Sequence, residues 1–217
     1  GQLRQAEAAF RQVIKLNRPE GELNLARVLL REGRLTEAVE ALQSASVQGA
    51  YPWSVDWFGG LVDLQNGNLD DAIDAFTALV QTNYPEARSR GFDFSLDYRL
   101  TNTLAQTLFE RSKLATSKRM EFAWLEQAAE HYQRSLRIDP ENVTAHYGLA
   151  QVYARLVRPT EAEKHRQLHE KYRRDDNAHD FALASARISD PAANHASEAV
   201  VIYDLQRRGA YGLPIRQ

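Results

Sequence analysis

The feature that most constrains this chain is an interval that recurs along it, about 34 residues long. Gly33-Arg-Leu-Thr-Glu-Ala and Gly67-Asn-Leu-Asp-Asp-Ala follow one pattern, and Gly1-Gln-Leu-Arg-Gln-Ala opens the sequence in the same way. The step from Ala38 to Ala72 is repeated further along from Ala128 to Ala162. A fixed period of that length marks one supersecondary unit repeated along the chain, in which each copy buries its apolar face only by stacking on its neighbours. Four residues beyond the alanines Ala6, Ala38, Ala72 and Ala128 stand Phe10, Leu42, Phe76 and Tyr132, while Arg166 breaks the series after Ala162. A small residue with a large one at i+4 suits two helices that cross closely, the first letting the backbones approach and the second filling the adjacent gap.

Upstream of each of the later alanines lies another helical signature: Leu25-Ala26-x-x-Leu29, Gly59-Gly60-x-x-Asp63, Leu104-Ala105-x-x-Leu108 and Leu149-Ala150-x-x-Tyr153. Proline recurs at Pro19, Pro52, Pro85 and Pro140, between one unit and the next, where it stops one helix and starts another. These residues resemble the tetratricopeptide repeat, a helix–turn–helix unit of the same length. The last unit carries the pattern most fully, from Asn142-Val-Thr-Ala-His-Tyr-Gly-Leu-Ala to Thr160-Glu-Ala-Glu, and departs from it at Val157, where a turn glycine is usual, and at Arg166. The resemblance implies an all-α fold, a right-handed superhelix of helical hairpins whose first helices line a concave groove.

The map that follows has a solenoid over residues 1–174, about four and a half repeats, and capping helices with a tail over 175–217. The first repeat is represented by one helix near 2–16, with Leu3, Ala6, Phe10, Val13 and Ile14 on one face. A sequence that opens inside an amphipathic helix reads as a fragment of a longer protein, or as one whose Leu3/Phe10 face pairs with a second copy. Repeats two and three take 20–46 and 53–82. The fourth is swollen by two insertions, near 84–97, where Pro85, Gly91, Phe92 and Phe94 suggest a loop, and near 113–122, where the absence of Pro and Gly suggests two lengthened helices meeting at a turn. Beyond 174 the signature stops. A short helix near 181–188 and a longer one over 190–208, with Asp190 as N-cap and Pro191 at its first position, are expected to cap the stack.

Composition narrows the function. The 217 residues carry 27 Lys and Arg against 29 Asp and Glu, a net charge of −2, so no general basic excess points to nucleic acid. The seven Lys and Arg between 155 and 174 are interleaved with Glu161, Glu163 and Glu170, the pattern of a solvated helix face. There is no cysteine, which excludes disulfides, thiol catalysis and Cys-held zinc or iron–sulfur clusters within these residues. No apolar run reaches a membrane span and no leader pattern opens the sequence, as in a soluble protein of the cytoplasm or periplasm. Glu161, His165 and His169 share a helix face at four-residue steps, a spacing able to present two imidazoles to one metal, but no third ligand is fixed. No Gly-rich phosphate loop, nucleophile elbow or His-Glu-x-x-His occurs. Neither catalysis, a cofactor nor a bound metal is expected.

The resemblance implies binding of a partner protein or peptide in the groove, and the first-helix positions stepping away from the buried Leu-Ala pairs are the expected contacts. They are Arg27 and Arg31, Trp57 and Gln65, Arg99, Asn102 and Gln106, then Tyr147, Gln151 and Arg155. Arg offers a planar fork for carboxylates and aromatics supply contact area at low entropic cost. The alternative is that Trp57 and Tyr147 pack between repeats and the arginines are merely solvated. The Lys/Asn clamp with which chaperone-binding relatives grip a C-terminal carboxylate is not evident. A more distant likeness lies in His146-Tyr-Gly-Leu-Ala, Asp176-Asn177, Asp190-Pro-Ala-Ala-Asn-His and Val201-Ile-Tyr-Asp-Leu, which look like the C-terminal repeat region of bacterial multihaem cytochrome-type proteins and imply a structural arm of an exported redox protein. Self-assembly through the Leu3/Phe10 face is the third reading.

Overall fold

The computed structural model describes residues 2–16 and 18–173. Contacts divide the chain after Arg174, and the first unit, Gly1–Arg174, is the part described here. The expected capping helices at 181–188 and 190–208 lie outside the described residues.

Among the described residues the chain is helical throughout. Helix α1 spans Gln2–Ile14, α2 Pro19–Glu32, α3 Leu35–Val47, α4 Pro52–Asn66 and α5 Leu69–Gln81. The short α6 is Pro85–Ser89 and a 3-10 turn follows at Phe94–Leu96. Then come α7 over Tyr98–Lys113, α8 over Lys118–Ile138 and α9 over Val143–Arg155. A tenth helix, α10, is described over 159–173. The main packing runs between successive helices, α2 on α3, α4 on α5 and α7 on α8, with the first helices of neighbouring hairpins also touching, α2 against α4 and α7 against α9. This is the tetratricopeptide solenoid.

The repeated residues explain the stacking. Ala38, Ala72 and Ala128 are fully buried and Ala162 nearly so, each giving its neighbour helix room to approach. The large partners fill the gaps: Phe76 is fully buried, and Leu42 and Tyr132 nearly so. Gly60 and Gly148 mark the closest approaches. A Cβ on Gly60 would stand 2.6 Å from Phe76 Cε1, and one on Gly148 only 2.2 Å from Tyr132 Cζ. Helix ends follow the punctuation of the sequence. Pro19 and Pro52 open α2 and α4, where a missing N–H costs nothing. Asp97, Ser117 and Asn142 cap α7, α8 and α9 with their side chains.

The hairpin turns after α2, α4 and α9 share one geometry. After α2, Gly33 sits at φ 74° with its N–H on Leu30 O, and Arg34 N–H reaches back to Leu29 O; Gly67 and Asn68 repeat this after α4. This is the left-handed closure glycine favours. After α9 the same two hydrogen bonds are made by Val157 and Arg158, with Val157 at φ 60°.

The two insertions take different forms. Around 113–122 the helices lengthen: α7 has 16 residues and α8 has 21, against 13 to 15 in the second and third repeats, with a turn between. The 84–97 stretch, expected as a loop, is instead α6, a turn and the 3-10 segment folded around aromatic rings. Tyr84 and Phe94 pack 5.7 Å apart and both lie against Trp53 of α4. Arg134 of α8 donates to Ser95 O at 2.9 Å, and the Arg90 guanidinium covers the Tyr51 ring at 4.6 Å. Pro85 at the first position of α6 and the burial of Ala87 and Phe94 give this segment enough structure to hold a helical turn.

Candidate interaction surfaces

The ten first-helix residues singled out in the sequence fall into two groups. Four of them fasten the solenoid. Arg27 donates to Asn24 Oδ1 at 3.0 Å and lies 5.6 Å above the Phe58 ring, tying α2 to α4. Trp57 packs 5.5 Å from Phe76 and against the α2–α3 core. Asn102 is 7% exposed, and its Nδ2 donates to Asn142 Oδ1 at 2.9 Å, joining α7 to the cap of α9. Arg155 pairs with Glu121 of α8 and lies 5.7 Å from the Phe109 ring. Lys118 and Arg155 together hold the Glu121 carboxyl below the usual range.

The other residues face outward. Arg31, Gln65, Arg99 and Gln106 are exposed, Tyr147 is 55% exposed with its ring 5.2 Å from His169, and Gln151 is half-buried. Arg99 and Gln106 stand two turns apart on one side of α7. The first helices therefore present exposed polar and aromatic side chains beside the residues that tie helix to helix. At the other end of the residues considered for pairing, Leu3 is 36% exposed while Phe10 packs against the core of the second repeat.

The histidine pattern resolves differently from a metal spacing. His165 turns to His146 of α9, Nδ1 to Nδ1 at 2.9 Å, and His169 Nδ1 meets Val143 O at 3.2 Å. His146 Nε2 lies 3.0 Å from Pro140 O, which can only accept, so His146 donates there and its Nδ1 accepts from His165. Tyr172 stacks on the His146 ring at 5.5 Å, and Tyr153 lies 5.6 Å from His165. Burial, then the facing His146 and Lys164, push His165 down to about 4; burial likewise lowers His146. Both rings are neutral packing elements between α9 and α10. Among the described residues no group of three metal-ligating side chains comes together, and no helix is long and apolar enough to cross a membrane.

One feature of the surface escaped the sequence reading although its signal was present. Where the other first helices carry Leu25, Leu104 and Leu149, α4 has Gly59; where they carry Leu29, Leu108 and Tyr153, α4 has Asp63. All six of those counterparts are buried, none more than 6% exposed. Without them an open pocket of about 440 Å³ remains between α3 and α4, walled by Val39, Leu42, Val47, Val55 and Val62.

Comparison with known proteins agrees with this architecture. A family model described as "Protein kinase G tetratricopeptide repeat" matches residues 1–179. No curated protein matches the sequence. A crystal structure of MamA superposes with a TM-score of 0.64 at 17% identity, covering 82% of this chain and 92% of that one. MamA 41-end from Desulfovibrio magneticus RS-1 gives 0.60 at 18% identity, covering 81% and 88%. At such identity the likeness is one of fold. The cytochrome-type likeness rests mainly on residues beyond 174, outside the described ones, and the family matched is another. The repeat spacing, the buried alanines, the turn geometry and the match over 1–179 converge: the chain belongs to the protein kinase G tetratricopeptide repeat family and is a tetratricopeptide module of the protein-binding kind.

Proposed function

We propose that the chain binds a segment of a partner protein along the face made by α2, α4, α7 and α9. The observation that carries this reading is the outward row of Arg31, Gln65, Arg99, Gln106 and Tyr147 on successive first helices. The backbone that carries the row is already ordered, because Arg27, Trp57, Asn102 and Arg155 spend their side chains on holding helix to helix, so binding orders side chains but not helices. Arg31 and Arg99 suit carboxylates of the partner, and Tyr147 offers a flat apolar plate.

The test is affinity capture from source-cell lysate with the unmutated chain and an Arg31→Ala/Gln106→Ala/Tyr147→Ala variant, both checked for equal melting temperature. These side chains are exposed, so the variant keeps the fold. A protein recovered at least tenfold better by the unmutated chain supports the reading and identifies the partner. Equal recovery by both, or none by either, refutes it.

A further inference from the structure

The pocket between α3 and α4 lies away from the row just described. At 100° per residue, Val55, Gly59, Val62 and Asp63 point to one side of α4 while Trp57, Leu61 and Gln65 point to nearly the opposite one. The space is open, since a Cβ built on Gly59 meets nothing within 4 Å. Its base is apolar, with Val62 1% and Leu42 5% exposed, and Val47 stands at its rim 90% exposed. At the corresponding positions the other complete repeats carry a buried leucine and a second large buried side chain, so Gly59 and Asp63 are a departure of the third repeat.

The one charged side chain that lines the pocket is acidic, Asp63. Between Arg34 and Arg88 the sequence holds eight Asp and Glu and no Lys, Arg or His, in a chain whose net charge is only −2. Helices α3, α4 and α5 lie wholly within that stretch, and of its acids Glu37, Asp70 and Glu86 are paired with Arg34, Arg111 and Arg90. No Lys, Arg or His lines the pocket, so the fixed charge at its wall is negative only. An apolar hole edged by a carboxylate, with no cation in its wall, selects for an apolar side chain flanked by a cation, the first filling the hole and the second meeting Asp63.

We propose that this pocket is a second docking site, which seats one aliphatic or aromatic side chain of a basic partner segment, with Lys or Arg on either side of that anchor. The site is independent of the first-helix row. The partner completes the third repeat from outside, supplying the side chain that Gly59 and Asp63 lack.

The probe is a random twelve-residue peptide library displayed on phage, selected against the unmutated chain. Selected peptides are then measured by fluorescence anisotropy on four proteins: the unmutated chain, Gly59→Leu, Val47→Lys, and the Gln106→Ala/Tyr147→Ala variant. Gly59→Leu places in the pocket the side chain the other repeats have, and Val47→Lys sets a cation at its mouth from an exposed position that cannot unfold the protein. The expected result is a consensus of one large apolar residue beside Lys or Arg. Its affinity falls at least tenfold on Gly59→Leu and on Val47→Lys, as loss of one buried apolar side chain implies. It is unchanged by the Gln106/Tyr147 variant and weakens with added salt. Peptides lost only on the Gln106/Tyr147 variant would belong to the first-helix row, and they would overturn the pocket while leaving that row standing. A consensus without cations, no enrichment, or a self-association of the chain that Gly59→Leu abolishes would overturn it as well.

Discussion

Among the described residues, Val157 occupies the one hairpin turn that closes in the left-handed region without glycine. Its hydrogen bonds match those at Gly33 and Gly67, so the geometry is imposed by the hairpin and not by the residue. A β-branched side chain in that region carries about 1–2 kcal/mol of steric cost, because Cβ crowds the carbonyl oxygen. Val157 is 77% exposed, so little packing offsets this. Replacing it by glycine removes the steric cost and adds about 0.5–1 kcal/mol of chain entropy lost on folding. The net expectation for Val157→Gly is a gain of about 1 kcal/mol, or roughly 2–4 °C in melting temperature for a chain of this size. The converse exchange, Gly33→Val, places the same side chain in the same turn with nothing within 4 Å of its Cβ and loses a similar amount. Urea titration followed by circular dichroism reads both. A Val157→Gly variant no more stable than the parent, or a Gly33→Val variant that loses nothing, would refute the argument that backbone strain is localised at this turn.

Two further outcomes follow from contacts inside the stack. Gly148→Ala drives a methyl to 2.2 Å from the buried Tyr132 ring and loses about 1–3 kcal/mol, whereas Gly59→Ala, a helix-interior glycine with open space beside it, gains about 0.5–1 kcal/mol; the same titration shows whether one chemical change takes opposite signs at the two sites. The His146–His165 pair makes stability fall with acid. Both pKa values are lower in the folded chain than in the unfolded one, so the unfolded chain binds more protons between pH 6.5 and about 4, and the stability present above pH 6.5 is lost across that window. His165→Leu removes part of that slope, and urea midpoints measured from pH 7 to pH 4 would show parallel curves for parent and variant if the pair were not responsible.

The fold was legible because its signals are local and repeated. A buried alanine in each repeat after the first, prolines between units and glycines at two of the turns each dictate one piece of backbone, and their agreement from unit to unit leaves a single architecture. The 84–97 segment was less so: its proline and glycine read as a loop, and only the meeting of Tyr84, Phe92 and Phe94 with Trp53 and Tyr51, which belong to the preceding repeat, gives it order. The surface was legible by helix face but not by depth. Asn102 and Gln106 share a face by periodicity, yet Asn102 is drawn inward by Asn142, a partner beyond the whole of α8 that no spacing rule identifies. Gly59 and Asp63 were visible as departures from the pattern; what they leave behind becomes apparent only when α3 is laid beside them.

The lengthened hairpin α7–α8 has a consequence for how the solenoid comes apart. In a stack where each unit touches only its neighbours, opening begins at the weakest unit and spreads until it meets one that resists. Helix α4 buries four residues, whereas α7 buries nine. Thr101 and Ser135, both wholly buried, are hydrogen-bonded at 2.7 Å across the α7–α8 contact. Among the described helices, amide protons at the centre of this hairpin are therefore expected to be the last to exchange with solvent, and an opening that starts in a less buried hairpin is expected to stop there. The fourth repeat acts as a firebreak, letting the helices on either side of it breathe without opening each other.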